Sequence, residues 1–258
     1  MIVEPKREIL LGPLLRAGVQ RSWAAREQLL RLGIVPLVAI VVILVPLHSI
    51  AMTLVTDTRA NLVADQDQVL QFVLLSLCYA VVLNVFAVNW LRQLTLGSTA
   101  VPGLGLGLAS RHVRFLMLIL GASLVTGILG LILMLVLSPL DLPGAMAALM
   151  ASVLLWTAFL VRLSPSWIGI ALDAPMPIRI AWRRTAGQGF KLLVAVLAVE
   201  VPLMLAEQLL GGIFEGTGLL ALAPLTFVLL TAALQLIGTA VQLAILVTAF
   251  PHFLRETV

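Results

Sequence analysis

Two carboxyl and two amide side chains lie inside the last two long apolar runs of the chain. Glu200 and Glu207 are seven residues apart in one run, and Gln235 and Gln242 are seven apart in the next. Seven residues make two helical turns, so each pair shares one helix face. In an antiparallel hairpin the matched levels are Glu200 with Gln242 and Glu207 with Gln235, because both pairs have the same sum of residue numbers. The four residues predict an intramembrane polar cluster.

Two interpretations of this cluster remain open. The pairs could be polar clasps between helices, worth about 0.6–2 kcal/mol each. They could instead form a protonatable path or a polar ligand site, since ionisable residues inside spans mark such functions. Glu200 follows Lys191 by nine residues, roughly 14 Å along a helix that rises about 1.5 Å per residue. We therefore place Glu200 near the membrane midplane and expect it to face the bundle interior.

Other chemistry-bearing residues are sparse. His48, Asn84 and Asn89 are lesser candidates, and no two of His48, His112 and His252 have a metal-ligand spacing. The sequence has no G-x-S-x-G, H-E-x-x-H, Walker lysine or C-x-x-C motif. We expect no metal, no cofactor and no enzyme. A membrane-embedded lipid enzyme that uses Asp173 or Arg183 is kept as a third hypothesis.

The composition indicates a membrane protein. The 258 residues are 61% hydrophobic and only 11% charged, with a mean hydropathy of +1.14, whereas soluble domains carry about 25% charged residues. The net charge of +4 comes from basic residues that flank apolar runs. This placement favours anionic lipid head groups rather than nucleic acid as the partner.

Six apolar runs are long enough for the roughly 20 residues that a bilayer requires. They predict an all-α integral membrane protein with six transmembrane helices arranged as three tandem hairpins. Residues 1–31 form an interfacial segment and residues 32–258 a six-span membrane domain. The spans are about 32–55, 69–91, 113–138, 143–162, 190–210 and 219–250. The apparent hairpin repeat has an alternative origin, because the positive-inside rule alone places basic residues at these points.

The orientation follows from the basic residues. With residue 1 in the cytoplasm, fifteen of the sixteen lie on the inner side and only Arg59 on the outer side. The positive-inside rule then places both termini in the cytoplasm.

Two basic segments are predicted to lie at the membrane interface. The first is an amphipathic helix near residues 12–30, in which Leu14, Val19 and Trp23 share an apolar face. A solvated tail packed on cytoplasmic loops is the alternative. The second is a short helix near 178–190, with Trp182 inward and the arginines toward phosphate. The predicted collar of basic residues facing lipid head groups is Arg111, Arg114, Arg179, Arg183, Arg184 and Lys191.

The third and fourth spans each have a face of small residues suited to close helix packing. Ser123 and Gly127 are four residues apart in one, and Ala147 and Ala151 in the other. This spacing allows two helices to approach closely.

The stretch 162–193 resembles a motif of a poorly characterised group of bacterial inner-membrane proteins. The matching residues are Arg162-Leu163-Ser164, the ALDAP run ending at Pro175, Ala181-Trp182-Arg183-Arg184-Thr185, Gly187 and Lys191-Leu192-Leu193. AVNWLRQLTLG at 87–97 resembles an earlier loop of the group, which often has His where this chain has Leu91 or Gln93.

The group is the six-helix membrane domain attached to some glycerophosphodiester phosphodiesterases, with its stand-alone relatives. The resemblance implies a multi-pass protein of the bacterial inner membrane and no known catalytic residues in this domain. The phosphodiesterase part has no counterpart in this sequence.

The expected function is a non-enzymatic accessory, scaffold or lipid-organising component. Its expected partners are the bilayer, anionic phospholipid head groups and a larger membrane protein complex. The alternative is a small transporter or proton-coupled channel whose polar path is the intramembrane cluster.

Overall fold

The structure is a computed structural model that describes residues 9–59, 66–101, 103–105, 107–137 and 141–254. Every regular element in these ranges is helical. The helices are α1 (Leu11–Ala24), α2 (Arg26–Arg59), α3 (Gln66–Leu96), α4 (Ser110–Leu137), α5 (Asp141–Arg162), α6 (Ser164–Ala171), α7 (Ile178–Arg184), α8 (Gly189–Gly216), α9 (Leu219–Leu222) and α10 (Pro224–Leu254), with a 3₁₀ turn at Ser98–Ala100. Three of the basic residues that are predicted to lie on the inner side of the membrane fall outside the described residues: Lys6, Arg7 and Arg255.

Five of these helices are long and apolar enough to cross a membrane: α2, α3, α4, α8 and α10. Residues Ala147–Arg162 of α5 and the whole of α6 pass the same test together, although they are bent by 57° at the break between them. The described part of the chain is therefore an all-helical protein with five spans, or six if the bent pair is one span.

Several predicted boundaries differ from the structure. The short helix expected near 178–190 ends at Arg184, and α8 begins at Gly189. The helix expected near 12–30 stops at Ala24, and residues from Arg26 onward belong to α2. The last span begins at Pro224 rather than at 219, because Gly218 adopts a left-handed conformation (φ 72°) and Ala223 leaves the helical region after the single turn of α9. Proline lacks an N–H and is suited to the first turn of a helix, so a new helix begins there.

The described chain forms two compact units. The first contains Met1–Ala24, Ala109–Ala198 and Gln242–Val258, and the second contains Ala25–Leu108 and Val199–Val241. Helices α8 and α10 contribute residues to both units.

In the first unit, α4 and α5 pack together through small residues, the most buried of which are neighbours of the predicted ones. Ala122 and Thr126 are buried on α4, Ala148 is buried on α5, and a Cβ built on Gly130 would lie 2.8 Å from Ser152 Oγ. Gly127 and Ala147 are exposed. The most buried small residues are thus offset by one position from Gly127 and Ala147, since a four-residue spacing fixes the period of a helix stripe but not its phase.

The segment α6 lies in the interior of the first unit, with all but one of its residues buried. Trp167 Nε1 donates to the carbonyl of Leu160 at 3.0 Å, and its ring packs edge-on against Phe115 with centroids 5.7 Å apart. Ser166 Oγ donates to the Met176 carbonyl at 2.7 Å. Sequence analysis missed this buried helix. Pro165 in its first turn was the available signal.

In the second unit, α2 and α3 form a hairpin. The buried residues of α3 are all in its C-terminal part, between Asn84 and Gln93. Trp90 is fully buried, and its Nε1 donates to the Ala240 carbonyl of α10 at 2.9 Å. Asn89 Nδ2 donates to the carbonyl of Gly105 at 2.6 Å. Gly105 has φ 73° and approaches Asn89 closely. A residue with a side chain would be strained in this conformation and would crowd Asn89.

Candidate functional site

All six collar residues belong to the first unit. Arg114 near the start of α4 is exposed, as are Arg179 and Arg183 on α7. Helix α7 buries only Ala181. Its exposed surface therefore combines two guanidinium groups with the apolar side chains of its remaining residues.

Two collar residues are engaged within the protein. Arg111 forms an ion pair with Asp173 in the loop after α6. Arg184 Nη1 donates to the carbonyl of Phe253, near the end of α10, at 2.5 Å. Lys191 is half-buried at the start of α8. The residues best placed to meet an external anion are therefore Arg114, Arg179 and Arg183.

Trp182 does not point inward as predicted. It is 40% exposed, its ring lies 5.5 Å from that of Phe159, and the guanidinium of Arg162 lies 4.3 Å above it. Arg162 Nη2 also donates to the Trp182 carbonyl at 3.0 Å. The inward position on this turn is taken by the smaller Ala181. Trp182 is therefore partly exposed, with its ring packed against both Arg162 and Phe159.

Helix α1 packs in the first unit along one narrow face. Leu14, Gly18 and Ser22 are its buried residues, and Gly18 lies against Ile245 of α10. Val19 and Trp23, which belong to the predicted apolar face, are exposed. The helix is thus attached to the protein on one side and presents apolar side chains outward on another.

A further polar residue, Tyr79, joins Glu207 and Gln235 in the second unit. Tyr79 Oη, on α3, donates to Gln235 Oε1 at 2.7 Å, and the half-buried Glu207 lies close enough to interact electrostatically with Tyr79. Sequence analysis missed Tyr79, the only tyrosine in the chain. Its uniqueness and its position inside an apolar run were the available signals.

The second-unit parts of α8 and α10 run antiparallel beside each other. Leu203 contacts Gly238, and the rings of Phe214 and Phe227 lie 5.4 Å apart. In both pairs the residue numbers add up to one less than in the predicted pairs Glu200–Gln242 and Glu207–Gln235. The level of Glu207 is therefore close to that of Gln235.

The pairing of Glu200 with Gln242 stays a prediction. Glu200 and Gln242 are both half-buried, but Glu200 belongs to the second unit and Gln242 to the first.

Among the described residues no three His, Cys, Asp or Glu side chains come together. Fold and site together define a helical membrane protein with a basic surface in the first unit and the polar group of Tyr79, Glu207 and Gln235 in the second. No protein-family model, curated protein or solved structure matches this chain.

Proposed function

We propose that the protein is a non-enzymatic, six-span component of the bacterial inner membrane that binds anionic phospholipid through its basic collar. In this role it is an accessory, scaffold or lipid-organising protein, and it serves a larger membrane complex. The resemblance of residues 162–193 to the membrane domain of some glycerophosphodiester phosphodiesterases supports the inner-membrane assignment.

The observation that carries this proposal is the surface of α7. Ile178 and Ile180 are exposed beside Arg179 and Arg183. In water this apolar exposure would be unfavourable, but at a membrane interface the apolar side chains enter the acyl region while the guanidinium groups reach phosphate. Arginine also binds phosphate in a bidentate manner.

The test compares phosphatidylglycerol with phosphatidylcholine bound to the detergent-solubilised protein, measured by native mass spectrometry. Each basic residue near an anionic surface contributes about 1 kcal/mol, so the double variant Arg179→Gln/Arg183→Gln should bind phosphatidylglycerol at least about tenfold more weakly. The Arg179→Lys/Arg183→Lys variant keeps both charges and should retain most of the binding. Equal binding of the two lipids by the unaltered protein would contradict the proposal.

The proposed orientation places both termini and the collar in the cytoplasm, as the positive-inside rule requires. It can be tested by cysteine labelling in a Cys78→Ser background. Arg16 on α1 and Thr217 after α8 are both exposed. A membrane-impermeant maleimide applied to spheroplasts should label Thr217→Cys but leave Arg16→Cys unlabelled until the membrane is permeabilised. The reverse labelling pattern would show the opposite orientation and contradict the proposal.

A second function, proton-coupled transport, is favoured by the contact of Tyr79 with Gln235 beside Glu207. Carboxyl groups within membrane spans often belong to proton relays. Proton flux into proteoliposomes, followed with an internal pH-sensitive dye, tests this function. Glu207→Gln should abolish flux, whereas Glu215→Gln, at an exposed carboxylate near the end of α8, should not. Absence of flux in the unaltered protein would exclude this second function.

A further inference from the structure

A cleft of about 260 Å³ opens among α2, α3 and α10 in the second unit. Most of its lining is apolar and includes Phe72 and Phe227. Three polar side chains also line it: His48 from α2, and Thr231 and Gln235 from α10. Small-molecule sites have this character, with a mostly apolar wall and a few polar groups that fix the orientation of the ligand.

Thr231 behaves differently from other threonines of the same helix. The hydroxyls of Thr239 and Thr248 donate to the carbonyls four residues earlier, at 2.8 and 2.7 Å, which is the usual arrangement for a helical threonine. Thr231 Oγ1 is buried and has no hydrogen-bond partner in the described part of the protein. A buried hydroxyl without a partner costs about 1–3 kcal/mol, so a ligand that accepts its proton would relieve this penalty.

Gln235, one turn along α10, has its oxygen already occupied. Its Oε1 accepts from Tyr79, which leaves the two amide N–H groups as the part of the side chain that can still bond to a ligand. Thr231 likewise offers an O–H, and an imidazole such as that of His48 carries at least one N–H. The cleft therefore offers hydrogen-bond donors from α2 and α10. A matching ligand has hydrogen-bond acceptors at two or more separate positions.

We propose that this cleft binds the head group of a lipid-soluble quinone. A quinone ring is flat and apolar, and its two carbonyl oxygens lie on opposite edges, so it can accept hydrogen bonds from α2 and α10 at once while its faces lie against the aromatic and aliphatic wall. A glycerolipid also has two ester carbonyls, but they are on flexible chains, whereas a quinone fixes its two acceptors on a rigid flat ring and loses less conformational entropy on binding. The site requires no electron transfer and goes beyond the proposed function.

The experiment measures binding of a decyl-substituted benzoquinone to the full-length protein in detergent by microscale thermophoresis. Thr231→Val removes the hydroxyl at nearly constant volume and should weaken binding about fivefold, as expected for one hydrogen bond. Thr248→Val, on the same helix but not in the cleft lining, is the matched control and should bind as tightly as the unaltered protein. Thermal unfolding of each variant verifies folding.

Two further probes separate the proposal from simple partitioning into an apolar cleft. A decyl-substituted trimethylbenzene has a similar ring and tail but no carbonyls, and it should bind at least tenfold more weakly than the quinone. Dioctanoylglycerol supplies ester carbonyls and should also bind more weakly. The proposal is overturned if either probe equals the quinone, if Thr231→Val has no effect, or if the quinone does not bind saturably.

Discussion

Arg162 and Thr185 join the end of α5 to the end of α7 through their side chains. Arg162 Nε donates to Thr185 Oγ1 at 3.2 Å, and this oxygen lies 3.1 Å from the Arg162 carbonyl. Thr185 is completely buried. The guanidinium of Arg162 also covers Trp182. These contacts hold α7, the helix that carries Arg179 and Arg183, against the end of α5.

Replacing Thr185 by valine should destabilise the first unit. Valine keeps the shape of threonine but leaves the Nε–H of Arg162 without its acceptor in a partly buried environment, which costs about 1–3 kcal/mol. Thr185→Ser keeps the oxygen and should lie closer to the unaltered protein. Thermal unfolding in detergent, followed by circular dichroism, measures the difference. Thr217→Val, at an exposed site, is the control, and an equal effect there would rule out a special role for Thr185.

Gly18→Ala should loosen α1. A Cβ at this position would stand 2.8 Å from Ile245 Cα, and backbone cannot move aside as a flexible side chain can, so we expect a loss of about 1–3 kcal/mol. Gly12 has open space around it, and Gly12→Ala should be neutral or stabilising because alanine favours helix. Limited trypsin digestion at the arginines of α1 provides the measurement. Equal protection of both variants would show that α1 is not held by this contact.

Gly130→Ala tests which small residues hold α4 and α5 together. The added methyl group would meet Ser152 Oγ at 2.8 Å, and that hydroxyl is already bonded to the Ala148 carbonyl. We expect a lower unfolding temperature for this variant. Gly127→Ala, into open space, should have no such effect. The opposite ranking would favour the stripe that the sequence spacing predicted.

The fold was largely predictable because hydropathy records long apolar runs directly. The predicted starts at 69, 113, 143 and 190 lie within three residues of those of α3, α4, α5 and α8. The phase of the packing faces was not predictable, since Ser123 and Gly127 are as small as their buried neighbours. Nor was α6, whose sequence is apolar but too short to span a membrane alone.

The sequence could predict contacts between polar residues only where they lie on spans that follow each other in the chain. Glu207 and Gln235 lie on α8 and α10, which are separated in the chain only by a short connection with the single turn of α9. A constant sum of residue numbers therefore relates their levels. Tyr79 reaches Gln235 from α3, 156 positions away. No spacing rule connects such distant segments, so this contact depends on how the helices pack, which the apolar pattern does not specify.

Asp173 offers a test of whether an ion pair or a backbone conformation matters more in the loop after α6. Its side chain pairs with Arg111, but both groups are partly exposed (54% and 26%), and exposed pairs contribute about 0–1 kcal/mol. Its φ of 59° is unusual for a residue other than glycine. Asparagine tolerates this conformation, whereas a branched side chain strains it by about 1–2 kcal/mol. Asp173→Asn should therefore unfold at nearly the same temperature as the unaltered protein, and Asp173→Val at a distinctly lower one. Similar losses in both variants would mean that the charge of Asp173, through Arg111, contributes more than the exposure of the pair suggests.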